Sequence, residues 1–136
     1  MPEMTKDELI AILNQPDGTK FDEMLSRTGD TAHQIRKLAK AFPEQRAQLL
    51  EFIISSPKRF TQAITYTYYG TAYGIRELAD TFPEQRAQLF DYIIRSPERF
   101  TQAITSPYNS TAYRIRELTK AFPAQRARLF DYIISS

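Results

Sequence analysis

Three stretches of this chain are near-copies of one phrase: TAHQIRKLAKAFPEQRAQLLEFIISSP from Thr31, TAYGIRELADTFPEQRAQLFDYIIRSP from Thr71 and TAYRIRELTKAFPAQRARLFDYIISS from Thr111. The starts set an internal period of about forty residues, and a unit that recurs at this spacing buries its apolar side against its neighbours rather than in a core of its own. An elongated stack of units is the expected product. The whole chain of 136 residues is expected to form a single repeat domain, with a partial capping unit over 1–30, repeats over 31–70 and 71–110, and a partial repeat over 111–136.

Prolines divide each unit. Pro43, Pro83 and Pro123 form one equivalent set, and Pro57 and Pro97 a second. Proline suits the first turn of a helix and is poor in its interior, so each one predicts a new helical start. The first segment opens at Thr31, Thr71 or Thr111, whose hydroxyl is expected to cap free N–H groups, and runs to Phe42, Phe82 or Phe122. The second runs from the proline to Ser55, Arg95 or Ser135. The third begins at Ser56-Pro57 or Ser96-Pro97 and ends near Thr65 or Thr105.

At about 100° per residue, Ala72, Ile75, Leu78, Ala79 and Phe82 share one arc of the first segment, as do their counterparts Ala32, Ile35, Leu38, Ala39 and Phe42. The second segment is apolar over most of its circumference, with Leu89, Phe90, Tyr92, Ile93 and Ile94, and needs neighbours on several sides. The third turns Phe100, Ala103 and Ile104 inward. Before the first copy, Leu9, Ile10, Ile12 and Leu13 echo the second segment, and Phe21, Met24 and Leu25 echo the third across a loop containing Asp17-Gly18. In the last copy, Phe130, Ile133 and Ile134 are expected to be open, so self-association through the C-terminal repeat face is anticipated.

Three helices in about forty residues resemble the armadillo repeat, from Thr31 onward. The resemblance implies an all-α, right-handed solenoid. Phe-Pro stands where that family usually has glycine, and its peptide-binding asparagine ladder has no counterpart here. The string FPxQRAxLFDYIIxSPxRF also resembles degenerate helical repeats of effectors that intracellular bacterial pathogens inject into host cells, which would imply an effector or a fragment of one acting in the host cytosol.

Function is read from what the units keep and what they change. Arg46, Arg86 and Arg126 recur in the first turn of the second segment, where the helix dipole disfavours a cation. Their guanidinium groups are expected to pair with a carboxylate such as Glu77 or Glu117 or with carbonyls of a neighbouring helix end; an anion clamp is the alternative. Opposite the buried arc of the first segment, the outer row changes from His33 and Lys37 to Tyr73 and Glu77, then to Tyr113 and Glu117. A constant frame with changing groups suits recognition of an extended partner, and a solvated face that has drifted would look similar. The connecting tips add Tyr66, Tyr68, Tyr69 and Tyr108, more tyrosine than a turn requires.

Charge weighs against a polyanion partner. The formal net charge is +2, made of roughly −4 over 1–30, +4 over 31–70, −1 over 71–110 and +3 over 111–136, so no basic stripe runs through all units. A nucleic-acid-binding repeat using the basic units 31–70 and 111–136 is the rival to protein binding, and a structural module of a longer polypeptide is the third reading. With no cysteine, one histidine and no glycine-rich phosphate loop, neither catalysis nor a metal or other cofactor is expected. No run of about twenty apolar residues predicts a membrane span, and a cytoplasmic setting fits the lack of thiols. The faces so assigned make Phe90→Ala cost about 3–5 kcal/mol and Tyr73→Ala less than about 1 kcal/mol. Chemical denaturation of the two variants checks this, and equal losses would contradict the assignment.

Overall fold

The computed structural model describes residues 4–15, 18–26, 31–66, 70–104 and 110–135. Among these it holds ten α-helices and no strand: α1 (Lys6–Leu13), α2 (Thr19–Ser26), α3 (Thr31–Ala41), α4 (Arg46–Ile54), α5 (Pro57–Ile64), α6 (Gly70–Thr81), α7 (Arg86–Ile94), α8 (Pro97–Ile104), α9 (Thr111–Ala121) and α10 (Arg126–Ser135). None of them is long and apolar enough to cross a membrane. The chain divides into two compact units, Met1–Ala63 and Ile64–Ser136.

Each Phe-Pro junction does start a new segment, but its first turn is tighter than an α-helix. Pro43–Gln45, Pro83–Gln85 and Pro123–Gln125 are single 3-10 turns, and the α-helix begins only at Arg46, Arg86 or Arg126. Phe42, Phe82 and Phe122 leave helical geometry with φ of −129°, −120° and −129°, in keeping with the bias of a residue before proline away from the α region. The cost falls on the preceding helix. Proline lacks the N–H that a residue four positions after Ala39 or Ala79 would offer to its carbonyl.

The repeated arginine supplies the missing donor. Arg46 Nε donates to the Ala39 carbonyl at 2.9 Å, and Arg86 Nε donates to the Ala79 carbonyl at 3.2 Å. A second arginine also reaches back over the Ser-Pro junction, to a carbonyl whose residue four positions on is serine rather than proline. Arg59 Nη1 donates to the Phe52 carbonyl at 3.1 Å with its guanidinium 4.1 Å from the Phe52 ring centre, and Arg99 Nη1 donates to the Tyr92 carbonyl with its guanidinium 3.8 Å from that ring. All four reach back seven residues. A charge-assisted bond of this kind contributes about 1.5–3 kcal/mol, and a buried carbonyl left without one costs about 1–3 kcal/mol. Arg126 differs from its counterparts in being exposed.

Capping also departs from expectation in part. Ser56 and Ser96 cap as anticipated, their Oγ atoms accepting from the amides of Arg59 at 3.4 Å and Arg99 at 3.3 Å. Thr71 does not cap its own helix: α6 begins one residue earlier, and the Thr71 hydroxyl donates instead to the Gln102 carbonyl at 2.5 Å, at the end of α8. In the last copy the cap is Ser110, which accepts from the Tyr113 amide at 3.1 Å.

In the first unit, α1 packs on α2 and α4, and α2 on α3. Leu9, Phe21, Ile35, Leu49, Leu50, Ile53 and Phe60 are among its large buried side chains. Gly18, with φ of +67°, lies where a Cβ would strike the Arg59 guanidinium and the Phe52 ring, so its left-handed turn and its missing side chain both serve the arginine junction. Arg59 is fixed from the other side by Asp22, 2.9 Å from its Nε.

In the second unit α6 is the central element. It packs most extensively along α9, and also on α8 and α7. Ala72, Ile75, Leu78, Ala79 and Phe82 are buried as the periodicity predicts, and so are Leu89, Phe90 and Ile93 of α7. Gly74 is buried on the same helix because a Cβ there would run into the Ile64 carbonyl and backbone, a contact that no side-chain movement could relieve. Phe90 meets the Phe122 ring edge-on at 5.2 Å, and Phe100 meets Tyr132 at 4.6 Å.

Candidate functional site

The close packing of α6 on α9 sets which outer-row groups can reach each other. Tyr73, Arg76, Glu77 and Asp80 fall on consecutive turns of α6, and Glu117 on the facing side of α9. Arg76 is the hub of this cluster. Its Nε pairs with Glu117 Oε2, its Nη1 lies 3.6 Å from Asp80 and its Nη2 3.7 Å from Glu77, while its guanidinium stands 5.1 Å from the Tyr73 ring centre.

This overturns the reading of Glu117 as an outward-facing recognition residue. Only 5 % of Glu117 is exposed, and it is the buried charged residue among those described. A helical wheel treats α9 as a lone cylinder, whereas in the fold α6 covers that flank and supplies the cation which makes burial of the carboxylate tolerable. Burial is the largest single influence on Arg76 and disfavours its charged form, but Glu117, Glu77 and Asp80 together outweigh it, so the guanidinium is held above its ordinary pKa. The carboxylate partners foreseen for the repeated junction arginine are also different ones: Arg86 Nη2 takes Asp80 at 2.8 Å, and neither Glu77 nor Glu117.

The tyrosines of the expected row are only partly open. Tyr73 is half-buried, stands edge-on to Tyr66 at 5.1 Å between ring centres, and bonds through its hydroxyl to Glu77. Burial, followed by the Glu77 hydrogen bond and charge, raises the Tyr73 phenol above its usual pKa, so the hydroxyl is a neutral donor across the neutral range. Tyr113 is half-buried in the first turn of α9. His33 and Lys37 are exposed on α3 of the first unit. Tyr68, Tyr69 and Tyr108 lie outside the described residues.

The structure therefore brings Tyr66, Tyr73 and Glu77 of the expected site together with Arg76 and Asp80. The signal for Arg76 was available as a cation at position 76 and an acid at position 117, one residue beyond its repeat counterpart Arg116, on the first helices of adjacent units. Among the described residues no group of three histidines, aspartates or glutamates is arranged to hold a metal ion. The cluster sets the Tyr66 and Tyr73 rings beside the half-buried Glu77 of α6, with the exposed Asp80 one turn on.

Removing one member of the buried pair leaves the other charge in place. Glu117→Ala is expected to cost about 1–3 kcal/mol, below the 3–5 kcal/mol of a fully isolated charge because Arg76 retains Glu77 and Asp80. The double change Arg76→Met with Glu117→Leu is expected to recover most of that loss. Urea denaturation of the three proteins checks both, and a neutral Glu117→Ala would refute the account of the pair. Tyr73, with its Tyr66 and Glu77 contacts, is more firmly held than a solvated residue, which moves the expected cost of Tyr73→Ala to about 1–2 kcal/mol.

No known protein family, curated protein or solved structure matches the chain.

Proposed function

We propose that the chain is a non-catalytic interaction scaffold, a right-handed stack of armadillo-like three-helix units, that binds a peptide or a protein surface along the α6 and α9 row. The observation that carries this reading is the ordered pair Tyr66 and Tyr73 beside Glu77, half-open to solvent and backed by the Arg76–Glu117 pair. Rings already held in one geometry offer contact area at little ordering cost, and tyrosine supplies both an apolar face and a polar edge. Tyr113 extends the row onto the neighbouring helix. Cytosolic action, in a host cell if the chain is an effector, accords with a fold that holds no thiol.

The same geometry weighs against phosphate binding. Arg59, Arg76, Arg86 and Arg128 already face carboxylates at Asp22, Glu117, Asp80 and Asp91, which would have to be displaced or neutralised before a nucleic-acid backbone could use those cations.

Affinity capture with the full chain, compared with a variant carrying Tyr66→Ala, Tyr73→Ala and Tyr113→Ala, tests the proposal. The variant is expected to lose its specific partners while keeping its helical circular dichroism. Partners retained undiminished by a folded variant would remove the assigned face, and RNA or DNA binding that falls steeply between low and physiological salt would favour the rival.

A further inference from the structure

Among the described residues, the large apolar side chains left exposed are Phe130, at 40 %, and Ile134, at 82 %, both on α10. One period earlier the position of Phe130 is held by Phe90, which is 1 % exposed, and the chain itself shows what covers it. The Phe122 ring of the next Phe-Pro junction meets Phe90 edge-on at 5.2 Å, and the Arg128 guanidinium lies 5.2 Å from the Phe90 ring centre while pairing with Asp91 at 3.2 Å. The receiving half of that interface is repeated on α10, where Phe130 follows in the place of Phe90 and Asp131 in the place of Asp91, both exposed. Leaving an aromatic ring of this size in water is unfavourable, and the packing on Phe90 shows what complement an open copy of that surface fits.

We propose that the outer face of α10 is a docking site for a further three-helix unit of this same type, one that sets a Phe-Pro junction on Phe130 and a cation on Asp131. The occupant follows from continuity with the packing of Phe122 and Arg128 on α7, and it is independent of the tyrosine row on α6 and α9. Ile134 lies one turn beyond Phe130 on α10 and enlarges the area available to such a unit.

The full chain extended by an in-register copy of its residues 97–136 tests this, since Ser136 stands one period after Ser96. Hydrogen exchange of the α10 amides is expected to slow by at least about tenfold in the extended chain. Phe130→Ser in the extended chain is expected to return α10 exchange to its original rate, and Ile134→Ser, at a position 82 % exposed without the extra unit, to do so in part without unfolding the rest. Unchanged α10 exchange on extension would overturn the proposal. So would sedimentation showing that the unextended chain forms a dimer abolished by Phe130→Ser, because the face would then belong to a second copy.

Discussion

Proline at the start of a segment leaves a carbonyl at the end of the helix before it without its usual donor, and at the first two of the three Phe-Pro junctions an arginine captures that carbonyl. Pro43 and Pro83 cannot donate to Ala39 and Ala79, and Arg46 and Arg86 do so in their place. The turn is thus tied by a cation that is part of the next helix, which restricts how the two helices can splay. Arg59 and Arg99 also reach back to a helix-end carbonyl at the second turn, each covering an aromatic ring with its guanidinium, although those carbonyls are not the ones opposite the proline. Short helices of eight or nine residues are marginal alone, so tied junctions and shared burial have to supply what helix propensity does not.

In the second unit the same device reaches the surface cluster. Arg86 holds the Ala79 carbonyl with Nε and Asp80 with Nη2, Asp80 faces Arg76, and Arg76 pairs with the buried Glu117. A continuous series of polar contacts therefore runs from a backbone turn to the half-open Tyr73 ring.

Much of this was legible in the residues. The three copies, the two proline sets and the period of the apolar positions located the helix breaks and nearly all the buried side chains, because these follow from local geometry and from the chemistry of proline. Glu117 was misread for the opposite reason. Its environment is set by a helix about forty residues away, and a wheel drawn for α9 alone has no way to register the flank that α6 covers. Thr71 shows the same limit, since its hydroxyl serves the end of α8 rather than the start of its own helix. The junction arginines lie between these cases: their recurrence marked them for a structural role, and the carbonyls they serve are those that proline leaves without a donor.

The arginine side-chain Nε–H signals in a nitrogen-resolved NMR exchange experiment test this most directly. If the junctions are tied as described, the Nε protons of Arg46 and Arg86 exchange with water far more slowly than that of the exposed Arg126 and resonate away from the unstructured position. Equal, rapid exchange at all three would mean that the stranded carbonyls are left to water and that something other than these arginines holds the turns.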